Sequence, residues 1–178
     1  MPVLSKGNYF QAIGQVRIDN SERWAAKHWR TLLSSYRRTT YFDEIAALIE
    51  PLYCRMEFTY LSELNRAFIA AISEYLDIDT VVTSSSQYPS DGGKSERLLQ
   101  ICKATEATEY LSGPSAKSYL DEALFSKQGV SVAWFSYEGY RPYPQPWGDF
   151  VHEVSILDLL FTKGKNAKQY MKGFGCNS

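Results

Sequence analysis

From about residue 80 the chain alternates short apolar runs with helical segments in the order strand, helix, strand, helix, strand. That rhythm predicts an α/β fold: a mainly parallel sheet flanked by helices, three-layer and Rossmann-like, with a βαβαβ core over residues 80–136. A length of 178 residues is within reach of one hydrophobic core, and 44% hydrophobic against 22% charged residues is ordinary globular composition, so a single domain over 1–178 is expected.

The elements follow in order. Residues 1–10 read as a loop or strand end, with Lys6, Gly7 and Asn8 as turn chemistry. Residues 11–19 alternate Ala12, Val16 and Ile18 with polar neighbours, the period of a strand with one buried face. Asn20 or Ser21 is placed to cap a helix that carries Trp24, Lys27, His28, Leu32 and Leu33 and runs to about Arg37. A second helix, about 41–52, should end against Pro51. Thr59 opens the clearest helix, where Leu61, Leu64, Phe68, Ile72, Tyr75 and Leu76 recur at spacings that share one face.

Residues 80–83 are then a short apolar strand, followed by Ser84, Ser85, Ser86 and a polar loop to Gly93. A helix over 94–107 turns Leu98, Ile101 and Cys102 inward, and residues 109–112 form a second strand closed by Gly113 and Pro114. Ser115 or Ala116 opens a helix through Phe125 that Gly129 stops, and residues 130–135 form the third strand. Residues 138–150 make a loop rich in proline and aromatic side chains. Ser155 with Asp158 has the spacing of a capping box for a last apolar helix over 156–161, which Gly164 breaks. Residues 172–178 read as a loose tail.

Composition excludes several classes. A net charge of -1 argues against a nucleic-acid-binding surface. Cys54, Cys102 and Cys176 are far apart and odd in number; two should be small core-facing thiols, with Cys176 exposed in a polar tail. With His28 and His152 the only histidines, these spacings give no metal site, and the sequence leaves any cofactor unassigned. No run approaches the length of a membrane-spanning helix, and the start lacks a signal pattern, so a cytoplasmic protein is expected. Aromatic residues reach 15%, with 13 Tyr and 4 Trp, which suits either a sugar or nucleotide cleft or ordinary core padding.

In open parallel sheets, ligands bind beyond the carboxyl ends of the strands. Ser84-Ser85-Ser86, Ser112-Gly113-Pro114-Ser115 and Ser136-Tyr137 should meet there, offering hydroxyls and backbone N–H groups to a phosphate or carboxylate. Lys94 and Arg97 lie three apart in the first turn of their helix, where cations oppose the helix dipole. They are candidates for an anion clamp, the alternative being solvated charges matched by Glu96 and Asp91. Trp24, Lys27 and His28 form a second constellation in which His28 could act as a general base, or Trp24 could simply be core with the other two at its rim. No nucleophile elbow or dinucleotide fingerprint is present. Gly92-Gly93-Lys94-Ser95 is not a phosphate-binding P-loop, because Tyr88 stands where that pattern requires its first glycine.

Taken together, three stretches resemble the WbqC-like proteins. The middle one runs from Lys94 through Arg97 to Cys102, then Glu109 to Pro114 and Tyr119-Leu120-Asp121. The closing one is Tyr143-Pro144-Gln145 with Gly148 and Phe150, then Ser155 to Phe161. Trp24-Ala25-Ala26-Lys27-His28 and the segment from Tyr36 to Phe42 fit the region upstream. The resemblance implies a bacterial protein encoded with O-antigen or other surface-polysaccharide genes, and transferase chemistry on a glycan or related metabolite. The family opens with a strand and a Gln-Pro-rich aromatic segment, so a member shortened at its N-terminus and lacking that strand is expected. On this basis Lys94, Arg97, Ser84, Ser112 and Ser115 would hold an anionic substrate such as a nucleotide-sugar, and Tyr143, Gln145 and His28 would contact an acceptor. The alternative is a non-catalytic binding or assembly protein of a biosynthetic gene cluster, with the aromatic loop as a contact surface. Either form allows a homo-oligomer.

Overall fold

The computed structural model describes residues 1–4, 6–7, 10–55, 57–89 and 91–173. In chain order these form α1 (Trp24–Tyr36), α2 (Phe42–Cys54), α3 (Leu61–Tyr75), α4 (Lys94–Ala104), β1 (Glu109–Ser112), α5 (Glu122–Lys127), β2 (Ser131–Trp134) and α6 (Ile156–Lys163). Short 3-10 turns stand at Ile13–Gln15, Ser85–Gln87, Pro114–Ser118 and Gly164–Tyr170. Asn8, Cys176 and the tail from residue 174 onward lie outside the described residues. The chain divides into two compact units, Met1–Thr80 with Tyr140–Ser178, and Val81–Gly139.

The first unit is helical. Its core joins Ile45, Ile49 and Leu52 of α2 to Leu76, Tyr143, Ala167 and the α6 residues Leu157, Leu159, Leu160 and Phe161. α6 is apolar almost all round, as a helix must be when neighbours cover every side. Phe161 stacks on Tyr36 of α1 with ring centroids 4.7 Å apart and on Phe42 of α2 at 5.7 Å. A smaller cluster gathers Ile18, Trp24 and Leu64, and the Trp24 indole N–H donates to Asn20 Oδ1 at 3.1 Å. Asn20 therefore serves Trp24 and the Phe58 carbonyl rather than capping α1, which begins after Arg23 with no side-chain cap.

Two further expectations give way here. Residues 11–19 hold a 3-10 turn at Ile13–Gln15, and among the described residues Arg17 and Ile18 alone of this stretch make strand-like bridges, to Tyr60 and Val3. Pro51 lies inside α2 instead of ending it. Its ring removes one helical N–H donor, a loss of about 3 kcal/mol in an isolated helix, but buried Ile49 and Leu52 on either side hold the last turn in place.

The second unit holds the sheet. β1 and β2 are parallel, with Glu109 opposite Ser131 and Ser112 opposite Trp134, and the crossover between them contains α5. Phe125, fully buried on α5, packs with Leu99 and Cys102 of α4 and with Leu120 and Val130 beneath Tyr110, Val132 and Trp134. The α/β character is there, and the sheet among the described residues has two parallel strands, which does not by itself amount to the expected three-layer, Rossmann-like arrangement. Residues 80–83 are extended, unpaired and exposed, with Val81 83% accessible. A strand is stabilised by its neighbours more than by its own propensity, and an apolar pair with no partner edge does not make one. Beyond β1, the expected single helix is split into the 3-10 turn at Pro114–Ser118 and α5, whose N-cap Asp121 accepts from Leu124 N–H at 3.0 Å. Cys102 is buried as expected, whereas Cys54, at the last turn of α2, is exposed.

Candidate functional site

In the first unit, one buried carboxylate ties three segments together. Asp158 is 5% exposed. Its Oδ1 accepts from the Tyr143 hydroxyl at 2.7 Å and its Oδ2 from the Tyr36 hydroxyl at 3.0 Å. The expected capping box is therefore only half formed. Ser155 caps α6 by accepting from Leu157 N–H at 3.3 Å, but Asp158 turns inward to the two phenols. Partial burial, then the hydrogen bond and charge of Asp158, push the Tyr36 hydroxyl up to about 12, and the same causes raise Tyr143.

Each segment held by Asp158 places a neighbour in the wall of an adjoining cavity. Ser35 precedes Tyr36, Pro144 and Gln145 follow Tyr143, and Thr162 lies one turn beyond Asp158, donating its hydroxyl to the Asp158 carbonyl at 2.7 Å. Together with Arg38, Thr39, Thr40, Pro146 and Trp147 these residues enclose about 300 Å³. Trp147 is 61% exposed, yet its indole N–H is fixed on the Ser35 carbonyl at 2.8 Å. A tethered, open indole face offers a flat apolar wall at low conformational cost. Arg38 is exposed, and among the described residues no hydrogen bond or ion pair engages its side chain. A guanidinium with its fork unoccupied beside free Ser35 and Thr40 hydroxyls is suited to a phosphate or carboxylate.

A second cavity of about 530 Å³ shares Thr40 and Thr162 with the first and continues along Tyr41, Lys163, Asn166, Gln169 and Tyr170. Gly164 lies against Tyr41 of this lining. Its φ is +55°, and a Cβ there would fall 2.7 Å from Cε1 and 2.8 Å from Cγ of the Tyr41 ring, so only glycine lets that ring lie flat.

The residues singled out from the sequence fall in both units. In the first, Tyr143 is buried and bonded to Asp158. Gln145 lines the cavity while clipping its own loop: its Nε2 donates to the Val151 carbonyl at 2.9 Å and its Oε1 accepts from Val151 N–H at 2.8 Å. His28 stands on α1 with its ring edge-on to Trp24 at 5.5 Å and Tyr53 at 6.1 Å, and lines neither cavity. Desolvation lowers its pKa, and no hydrogen bond orients it among the described residues.

In the second unit, Lys94 and Arg97 occupy the first turn of α4. The Lys94 ammonium lies 4.9 Å from the centre of the Tyr119 ring, and Arg97 is exposed and without an ion-pair or hydrogen-bond partner among the described residues. The Glu96 carboxylate folds back over Gly93 at the same helix end, placing an anion where the dipole favours one. Ser112 is buried at the end of β1, and Ser115 follows in the 3-10 turn. Ser84 caps the turn at Ser85–Gln87 and lies 2.7 Å from the Ser86 hydroxyl. No hydrogen bond joins Lys94 or Arg97 to these serines among the described residues. A cavity of about 570 Å³ in this unit opens between α5 and the start of β2, at the amino end of the strand. Arg38, Thr40 and Trp147 were passed over in the sequence because nothing in their spacing joins a helix turn to a loop a hundred residues later.

A family model described as the WbqC-like protein family matches residues 1–170. Among curated proteins, the uncharacterized protein Rv1507c of Mycobacterium tuberculosis is 45% identical over 172 residues, which are 97% of this chain and 74% of the relative. No solved structure matches. Among the described residues no helix is long and apolar enough to cross a membrane, and no three metal-ligating side chains of the His, Cys, Asp or Glu type gather.

Proposed function

Because the chain belongs to the WbqC-like protein family, we propose that it acts in the synthesis of a bacterial surface polysaccharide or related metabolite, as a transferase that binds an activated sugar or another phosphate- or carboxylate-bearing substrate. The observation that carries this reading is Arg38: a cation with no partner among the described residues, in a cavity walled by the tethered indole of Trp147. Arg38 takes the anionic group and Trp147 packs on the ring it carries. Lys94 and Arg97, with Ser84, Ser112 and Ser115, form a separate anion contact in the sheet-bearing unit, and His28, which lies in neither cavity lining, takes no part in this reading.

The experiment is a thermal-shift screen of the full chain against nucleotide-sugars, simple phosphates and carboxylates. A ligand that binds only the native state raises the midpoint. Arg38→Ala and Trp147→Ala should each abolish the shift from a ligand held in the first unit, and Lys94→Ala with Arg97→Ala should reduce only the shift from an anion held in the second. If every midpoint is unmoved in the parent protein, or the shift survives Arg38→Ala in full, the reading is wrong.

One observation favours a non-catalytic binding protein instead. The described residues lining the two adjoining cavities of the first unit include no carboxylate and no imidazole, the groups that most often move protons in transfer reactions. Binding of a nucleotide-sugar without release of its nucleotide, across a panel of acceptors, would decide for that alternative.

A further inference from the structure

We infer that the cleft of the first unit has two chambers, and that the second is an acceptor subsite for a neutral, polyhydroxylated ring of the sugar class. The inference rests on the Arg38 cavity being the anion site, and it concerns the neighbouring cavity that meets it at Thr40 and Thr162.

The chemistry of the two linings differs. On the first side the Thr39 hydroxyl is committed to the Tyr36 carbonyl at 2.8 Å, Thr162 to Asp158 and the Gln145 amide to Val151, which leaves the Arg38 cation and an indole face as the recognition groups. On the second side the one cation, Lys163, has its ammonium 5.3 Å from the centre of the Tyr170 ring, itself part of the same lining. What remains there is a set of neutral donors and acceptors. The Gln169 amide is exposed and engages no other group among the described residues. Asn166 donates through Nδ2 to the Tyr41 hydroxyl at 3.3 Å and keeps its amide oxygen free. Planar amides beside aromatic edges suit a ring whose rim alternates hydroxyl donors and acceptors, whereas a phosphate would find only one cation, already engaged. About 530 Å³ is ample for a hexose ring.

Thr40 lies in both linings, and its hydroxyl has no partner among the described residues. Ligands in the two chambers therefore meet at the shared Thr40 and Thr162, of which Thr40 has the uncommitted hydroxyl. Two molecules held end to end, one anionic and one neutral, are the arrangement a transfer reaction requires.

The test uses the full chain, uridine diphosphate as the anionic probe, and a panel of methyl hexosides and methyl deoxyhexosides as neutral probes, followed by NMR titration. The expected result is that a glycoside binds with uridine diphosphate already present, and that both perturb Thr40. Gln169→Ala and Asn166→Ala should each weaken the glycoside about tenfold and leave uridine diphosphate unchanged, with Arg38→Ala doing the reverse. If uridine diphosphate binds through Arg38 but every glycoside fails, competes with it, or is indifferent to Gln169 and Asn166, the second chamber is refuted and the anion site stands. If glycosides bind through Gln169 while uridine diphosphate and the other anions do not bind, the acceptor subsite stands and the Arg38 reading falls. Failure of all probes removes both.

Discussion

The Tyr143 hydroxyl donates to Asp158 at 2.7 Å across a span of 15 residues, and both side chains are buried. With Tyr36 on the other carboxylate oxygen, this contact holds the end of α1, the aromatic loop and α6 in one arrangement, and the proposed cleft is the outer surface of that arrangement.

Asp158→Asn should therefore destabilise the protein. An amide offers one acceptor oxygen where the carboxylate offers two, and leaving a buried group poorly matched costs about 1–3 kcal/mol. Tyr143→Phe should cost about as much, and Tyr36→Phe less, since Tyr36 is only half buried. Denaturant unfolding monitored by circular dichroism measures all three. A double-mutant cycle between Tyr143 and Asp158 should show coupling, and strict additivity would contradict the buried pairing.

The same pair sets an alkaline limit on stability. Tyr36 titrates near 12 in the folded protein and at about 10 when unfolded, and Tyr143 is shifted in the same direction. A folded-state pKa raised in this way contributes stability that is complete below pH of about 10 and is lost as pH climbs toward 12, because the unfolded chain releases its phenolic protons first. Unfolding free energy measured from pH 9 to 12 should fall across that window, and the fall should be shallower in Tyr36→Phe. Phenolate absorbance in the native protein should show tyrosines that resist ionisation until the protein unfolds.

Gly164→Ala should lower the melting temperature. The substitution forces a side chain onto positive φ and drives its Cβ into the Tyr41 ring, a combined cost of about 1–3 kcal/mol. Combining it with Tyr41→Ala removes the clash but not the backbone strain. The double variant should therefore fall short of the sum of the single effects, which thermal unfolding reads directly.

Trp147→Ala should separate stability from binding. Its indole is 61% exposed and contributes one hydrogen bond, so the stability loss should stay near 1 kcal/mol while ligand-induced stabilisation disappears. Trp147 is also the most exposed of the four tryptophans. Acrylamide quenching of the parent protein should accordingly drop when an anionic ligand covers it, and quenching unaffected by bound ligand would place the ligand elsewhere.

By itself the sequence determined the helices whose apolar positions recur at three and four, α3 above all. It also determined the parallel pairing of residues 109–112 with the strand beginning near 130, the cap at Ser155 and family membership. These are matters of local periodicity and motif order, which the chain carries without reference to its fold. Only the tertiary structure decided that residues 80–83 stay unpaired, since a strand exists only where another edge accepts its hydrogen bonds. It decided that Asp158, spaced as a helix cap, instead faces two phenols, because the burial of α6 on all sides leaves its carboxylate no water to turn to. And it decided that Arg38 and Trp147 line one cavity: that lining joins the segment after α1 to a loop far along the chain, and proximity of that kind is a product of packing, which no spacing along the sequence expresses.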